Sequence, residues 1–460
     1  MDKGMYDVVV VGAGHSGIAC ARSLAAGGAS VALIEARDRV GGRTESATLG
    51  RGTFDLGGQW QGKKHPRLGA LIAELDGGPF STFSTGKKIL DLGGERRIYS
   101  GAIPTLPPLQ LLELHRTLSR IDRMAERINP EDPLLGPEGQ RWDGASLEEE
   151  KRRWIWSRKV RSLIDASVRV VFGSEPRDLS LLYFLFYVRS GGGLHHLLEI
   201  ENGAQQTRLR IGMGGLAARA AAKLGDRVHL SSPVRRIHQD KSGVTVFTDS
   251  GHFRGKRAVI AAAPALAGRI AYEPMMPAQR DLLVQRMPMG ATVKVMALYD
   301  RPFWRDDGLS GEAVSDGKPI TVAFDNTSDD GKQAALLGFV VGQPARTWSL
   351  KSMVERERAV IDAFTRLYGP GAARHEGYHE RDWSTEPWSG GCPVGTFGPG
   401  SFHAVGRALR EPVGRIHFAG TEAAIEHVGY IEGALESGER AAREVLERLN
   451  AREEAPEARP

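Results

Sequence analysis

Lys294 is the first residue in this chain whose type and setting could do chemistry. It stands in Met289-Gly290-Ala291-Thr292-Val293-Lys294 and is followed by Val295 and Met296. An ammonium in so apolar a strand is costly unless it has a partner or a task; the alternative is a strand-edge lysine snorkelling to solvent. Cys392, in Trp388-Ser389-Gly390-Gly391-Cys392-Pro393, is a second reactive group, although a free cysteine is more often a small buried hydrophobe. Glu35 is a third, an acid ending the apolar stretch Val31-Ala32-Leu33-Ile34.

The elements around Glu35 say what it could hold. Val8-Val9-Val10-Val11 reads as a parallel strand buried on both faces, and Gly12-Ala13-Gly14-His15-Ser16-Gly17 comes directly after it. Gly12 and Gly14 permit a tight turn, and Gly17 lets the next helix pack on the sheet. The helix N-terminus then offers free N–H groups and its positive dipole end to a pyrophosphate. Residues 29–36 read as the second strand, with Glu35 placed to accept ribose hydroxyls. Strand, helix, second strand and acid in this order predict a dinucleotide-binding unit.

The next glycine turns separate the possible dinucleotides. After Glu35-Ala36-Arg37 come Val40-Gly41-Gly42-Arg43-Thr44 and Asp55-Leu56-Gly57-Gly58-Gln59-Trp60. A nicotinamide cofactor needs no second Gly-Gly-Arg turn so soon, whereas the longer FAD runs on into the protein body. Arg43 can neutralise phosphate charge, and Gly57-Gly58 can bring backbone to the flavin end. The plain alternative is a pair of ordinary hairpin turns. Gly212-Met213-Gly214-Gly215 is not a second nucleotide site, since no valine-rich strand ends there. It reads as a loop touching FAD or as a flexible helix start. The chain therefore lacks an obvious place for NAD(P)H.

At 460 residues the chain is long enough for two domains. Charged residues make up 25% and hydrophobic ones 41%, as in an ordinary soluble protein. The 61 basic and 56 acidic residues leave a net charge of +5. The basic residues are spread, so a nucleic-acid partner is not indicated despite a pI near 9.1. Two cysteines, Cys20 and Cys392, support no disulfide framework. No run approaches the roughly 18 apolar residues of a membrane span, and the N-terminus enters the first strand without room for a signal peptide. The expectation is a soluble cytoplasmic protein without a membrane or metal site; His195 and His196 have no third ligand at metal-binding spacing. A homodimer is left open.

The fold class expected is α/β, α+β overall. A Rossmann-like FAD-binding domain is assembled from residues 1–80, 210–284 and 386–450. Residues 81–209 and 285–385 form a substrate domain of mixed sheet and helices, and residues 451–460 a fraying tail. Helical spacing covers Leu111, Leu114, Leu118, Ile121 and Met124 up to Asn129-Pro130, and residues 154–172 and 181–187. Strands fall near 292–299, 320–324 and 335–342, then a helix over 352–367. Phe184, Phe186 and Tyr187 read as core.

The C-terminal piece reads Arg415-Ile416-His417-Phe418-Ala419-Gly420-Thr421-Glu422 and Gly429-Tyr430-Ile431-Glu432-Gly433-Ala434, a strand, a tight exit and a helix whose N-terminus is free for a polar flavin atom. With the N-terminal block, these motifs resemble the monoamine oxidase branch of the flavin amine oxidases, from about Asp7 to Leu446. The resemblance implies that Ser16, Glu35, Arg37, Arg43, Gly58 and Gln59 hold FAD, with Val234 meeting the adenine half. Gly12, Ala13, Gly14, Gly17, Ala36, Gly42, Gly57 and Trp60 complete that contact, and Glu422, Tyr430 and Ile431 meet the flavin end. It implies that Lys294 holds a water against flavin N5, with Trp383 nearby, and that Cys392 forms a thioether to the flavin. Tyr430 is one wall of an aromatic substrate cage. Pro393 stands where the family has the other wall, so half the cage is missing. Val170, Phe172, Leu198 and Gln205 fall where the family lines its cavity.

The reaction so implied is oxidation of an amine C–N bond to an imine, which hydrolyses to a carbonyl compound while O₂ becomes hydrogen peroxide. An L-amino-acid oxidase is the alternative enzyme and would need a cation for the carboxylate; Arg189, Arg208 and Arg210 lie in a suitable region. A flavin oxidase of a specialised metabolite is a third reading. A non-catalytic flavin-binding protein is the fourth.

Overall fold

The valine run forms the middle of an eight-stranded sheet. In the computed structural model, which describes residues 4–101, 104–136 and 138–451 apart from the side chain of Leu198, Val8, Val9 and Val10 are fully buried. Their strand, Met5–Val11, pairs in parallel with Val31–Ile34 on one side and Gly251–Ile260 on the other. The order across the sheet is Ala271–Glu273, Val234–Gln239, Val244–Thr248, Gly251–Ile260, Met5–Val11, Val31–Ile34 and Val228–His229. Ile416–Phe418 lies parallel to the end of Gly251–Ile260. Three remote stretches of chain thus share one sheet. Helices His15–Ala26 and Ile431–Asn450 pack on it through Cys20, Leu24, Ala441, Ala442 and Val445.

Two glycines fix how the first helix meets the sheet. Gly12 has φ of +100°, and a Cβ there would sit 2.7 Å from the Ala261 carbonyl oxygen. A Cβ on Gly17 would come within 1.8 Å of the Gly12 carbonyl oxygen. No side chain fits at either place, so the helix starts directly above the turn.

A second, seven-stranded sheet carries Lys294. Its order is Gly377–Asp382, Thr292–Tyr299, Ala334–Val341, Val322–Asp325, Leu309–Ser315, Lys87–Leu92 and Glu95–Tyr99. All eight residues of Thr292–Tyr299 are buried. Strand alternation puts Val293, Val295, Ala297 and Tyr299 into a core with Trp304 and Phe364. Met296 and Leu298 point the other way, into an apolar group with Phe324, Trp60, Val170 and Phe339. Lys294 shares their parity.

Helices Pro108–Ala125, Arg158–Phe172 and Leu181–Ser190 form a third core rich in aromatic rings. The helix expected over residues 154–172 starts later, at Arg158; Trp154 is the last residue of a separate helix, Leu147–Trp154. The buried Glu113 carboxylate, from helix Pro108–Ala125, accepts the N–H groups of Trp156 (2.7 Å) and Ser157 (3.3 Å) in the link between the two helices. Ser157 then caps the new helix by accepting from Val160 N–H.

The glycine-rich stretch at 212 opens the helix Gly212–Ala222, as a helix start and not as a cofactor loop. Asp55 accepts Met213 N–H at 2.8 Å and Ser46 accepts Gly214 N–H at 2.9 Å, so the protein's own acceptors occupy that N-terminus. Among the described residues no helix is long and apolar enough to cross a membrane, and no cluster could hold a metal ion. The expected tail lies outside the described residues from 452 on.

Candidate active site

A cavity of about 470 Å³ runs along the first sheet's helix ends. At one end it is lined by Gly12, Gly14, His15 and Ser16, then by Glu35, Ala36 and Arg37, and beyond them by Gly42, Arg43 and Gly58. Val234, Cys392, Tyr430 and Ile431 also line it. Two helices open on it with no side-chain cap, His15–Ala26 behind Gly14 and Ile431–Asn450 behind Tyr430. Two positive dipole ends and their free N–H groups therefore face one elongated space, an arrangement suited to a phosphate at one end and an electron-rich ring at the other.

Charged side chains knit the cavity wall together. Glu35 accepts Ala13 N–H at 2.7 Å and Arg37 N–H at 3.0 Å. Arg37 donates to Ser389 Oγ at 2.7 Å and lies 3.4 Å from Glu386, while its buried Nε has no partner. Arg43 donates to both oxygens of Glu422, at 2.6 and 3.0 Å, and to the Pro393 carbonyl at 2.8 Å. Burial alone would raise the Glu422 carboxyl, but Arg43 outweighs it and holds the group below the usual range. His15 Nε2 shares a hydrogen bond with Thr44 Oγ1 at 3.2 Å, and burial lowers its pKa to about 4, leaving it neutral. The residues present fit FAD: a cradle with no room for side chains, an acid at the ribose position and orphaned guanidinium capacity.

Several expected cofactor contacts lie elsewhere. Glu422 is 2% exposed and reaches the cavity only through Arg43. Ala13 and Gly17 act through backbone and packing. Gln59 and Trp60 do not line this cavity, although Gly58 does. Gln59 Oε1 and the Gly57 carbonyl (2.9 Å) both accept from Lys294 Nζ. The Trp60 ring sits 5.9 Å from that ammonium and packs on Phe324 and Phe339, at 5.3 and 6.1 Å. Lys294 is thus buried with partners rather than snorkelling, and burial lowers its pKa to about 7, against the opposing pull of Asp55. Trp383 is 1% exposed and donates to the Leu56 carbonyl at 3.0 Å, so it braces the Gly57 loop from behind.

Around Tyr430 the wall is aromatic. Its ring centroid lies 6.2 Å from Tyr187 and 5.5 Å from His65. Phe172 packs on Tyr187 at 4.4 Å and belongs to the helical core, one ring removed from Tyr430. Val170 joins the Trp60 group. Gln205 donates to the Leu197 carbonyl at 3.2 Å and has a buried, unpartnered Oε1; the Leu198 side chain lies outside the described residues. Burial raises the Cys392 thiol to about 11, with Arg43 and Lys294 pulling it back.

Sequence reading missed His65 and His427, and weighed His196 only as a metal ligand. His65 lies 4.8 Å from His427 and 6.2 Å from His196, ring to ring. Burial lowers His65 to about 3 and His427 to about 4. They are far apart along the chain and belong to unrelated motifs, so no spacing rule could have joined them. Of the arginines considered for a carboxylate, Arg189 and Arg210 are exposed, and Arg210 pairs with Asp329. Arg208 is buried, donating to the carbonyls of Thr327 (2.8 Å) and Asn326 (3.1 Å).

A dinucleotide cavity bordered by a tyrosine ring and a cysteine, with a buried lysine held by the residues on either side of Gly58, is an arrangement a flavin-dependent oxidoreductase needs. The sequence profile of the family described as flavin containing amine oxidoreductase matches residues 15–446, and the chain belongs to that family. A Dictyostelium discoideum protein named "Probable flavin-containing monoamine oxidase A" is 41% identical over 448 residues, 97% of this chain and 98% of that protein. Flavin-containing amine oxidase B of Bos taurus is 35% identical over 448 residues, 96% of this chain and 86% of that one. Cyclohexylamine oxidase from Brevibacterium oxydans IH-35A superposes with a TM-score of 0.92 at 34% identity, covering 97% of this chain and 100% of the other. Wild-type putrescine oxidase bound to putrescine gives 0.94 at 32% identity, with the same coverage. The protein is an FAD-dependent amine oxidase of the monoamine oxidase branch.

Proposed function

We propose that this enzyme oxidises small amines with an apolar body, taken up as the uncharged base, where Lys294 and Tyr430 meet the end of the FAD cavity. FAD, when bound, accepts two electrons from the C–N bond and passes them to O₂. The protein's part is to bind, orient and exclude water. Tyr430 offers a ring face, its phenol kept neutral by burial. Lys294 Nζ is held by Gly57 and Gln59 with one hydrogen-bonding position left over, suited to a water at the flavin. Trp383 keeps the Gly57 loop in place and is a positioning residue. Trp60, Val170, Phe324 and Phe339 supply the apolar lining, in which a desolvated ammonium is expensive.

The observation that carries this reading is the buried Lys294, whose two partners, Gly57 and Gln59, flank Gly58 of the cavity wall. The arginine placements favour an amine over an amino acid, because Arg208 is committed to carbonyls and the other two are exposed. Cys392 lines the cavity and is the group proposed to carry FAD through a thioether. The FAD-binding part is proposed to comprise residues 1–80, 210–284 and 386–450, in keeping with one sheet drawing strands from all three. Peroxide release from an arylalkylamine and from the matching L-amino acid tests the substrate class. The amine is expected to give at least tenfold higher kcat/KM, rising with pH through the amine's ionisation; preference for the amino acid refutes the reading.

A further inference from the structure

We infer that Gln59 and Asn326 are positioning residues: they aim Lys294 and decide when it carries a proton. The inference rests on the reading of Lys294 as the group beside the flavin. Lys294 Nζ has three hydrogen-bonding positions, and Gly57 O and Gln59 Oε1 occupy two. Both acceptors flank Gly58, which lines the FAD cavity, so the third position is the one available to that cavity.

Gln59 can hold this geometry only one way round. Its Nε2 donates to Asn326 Oδ1 at 3.1 Å, and Asn326 Nδ2 donates onward to the Met296 sulfur at 3.3 Å. If Gln59 turned over, its amide N–H groups would oppose the lysine donors and its oxygen would oppose Asn326 Oδ1. The direction of donation, Lys294 to Gln59 to Asn326, is therefore fixed by the chain's own donors and acceptors. Asn326 is in turn fixed by backbone: its N–H donates to Ala335 O at 2.8 Å and its carbonyl accepts from Arg208 at 3.1 Å. Gln59 is 2% exposed and Asn326 is completely buried, so water does not substitute for either.

The choice of a neutral amide matters. Asp55, Arg208 and Cys392 act on Lys294 through space at longer range, and Arg381 lies across the strand from it, paired with Glu45 and Glu386. The Gln59 amide, by contrast, touches the ammonium directly. A carboxylate in its place would keep Lys294 protonated; an alkyl group would favour the free amine.

The test uses holoenzyme variants Gln59→Glu, Gln59→Leu, Asn326→Leu and Lys294→Met. Two quantities are followed against pH: the midpoint potential of bound FAD, and the rate of anaerobic bleaching by an amine. The break assigned to Lys294 should vanish in Lys294→Met. An opposite charge at contact moves a pKa by about 1–3 units, so Gln59→Glu should raise the break by at least about one unit. Loss of a hydrogen bond to the charged form should lower it by about one unit in Gln59→Leu, and by less in Asn326→Leu, where Gln59 remains but is freed to turn. Melting temperatures show which variants fold, and Gln59→Glu with Asn326→Leu suffice if Gln59→Leu does not. Breaks that coincide with the wild type in every folded Gln59 and Asn326 variant, while Lys294→Met abolishes it, overturn this inference alone. A break that survives in Lys294→Met overturns the reading of Lys294 beneath it.

Discussion

Replacing Glu422 by glutamine separates electrostatics from shape at the cavity wall. Glu422 Oε1 accepts from Arg43 (2.6 Å) and Gly395 N–H (3.2 Å), and Oε2 accepts from Arg43 at 3.0 Å. The amide keeps the first oxygen but puts a donor where Oε2 stood, facing a guanidinium N–H. Breaking a fully buried pair from one side costs about 3–5 kcal/mol. The Arg43 side chain remains 24% exposed, so solvent recovers part of this, leaving about 2–3 kcal/mol. In urea unfolding of the apoprotein this is a midpoint shift of about 0.5–1 M. Because the substitution removes a negative charge beside a cavity for an anionic cofactor, the FAD-loaded protein should lose less than the apoprotein. The sign with pH comes from a carboxyl held below its ordinary value of 4.5: its stabilisation is present above that value and is lost as pH falls through the lower folded one. The gap between wild type and Glu422→Gln should be level from pH 8 to about 5 and narrow only below. A gap under about 0.5 kcal/mol at pH 7 would refute this account of the pair.

The histidine cluster also destabilises the fold in acid, but from a higher pH. Burial lowers His65 and His427 from 6.5 to about 3 and about 4, so below 6.5 the unfolded chain binds protons that the folded one refuses. Stability should fall by at most about 2 kcal/mol per histidine between pH 6.5 and 5, and His65→Gln should flatten the decline in melting temperature; an unchanged slope counts against it. The Cys392 thiol is raised to about 11, and the proposed thioether would form through the thiolate. Apoprotein reconstituted with FAD at pH 9 should therefore retain more yellow colour in the acid precipitate than at pH 7, and Cys392→Ala should retain none. Equal colour at both pH values would exclude thiol ionisation as the control.

What was legible in the sequence was local. Four valines can be buried on both faces only in a central parallel strand, and the glycines behind them stand where a Cβ would strike the backbone. Those constraints act within about ten residues, and the strand, turn and helix appear where expected. Lys294 was legible for a different reason: a charge among Val293, Val295 and Met296 must be answered somewhere, whatever the fold. What answers it was not legible. Gln59 is 235 positions away from Lys294, and Glu422 is 379 from Arg43. Gly58 lines the cavity while its neighbours Gly57 and Gln59 hold Lys294, a division of roles among adjacent residues that no local motif announces. The helix break at 155–157 depended likewise on Glu113, whose carboxylate satisfies two backbone donors of the link. The polar side chains that define the site are thus also those whose partners are chosen by tertiary packing. A chain matching every local motif but carrying a hydrophobic residue at 59 or 326 would share this fold, yet its lysine, without an oriented amide to receive the proton's hydrogen bond, would titrate differently against the flavin.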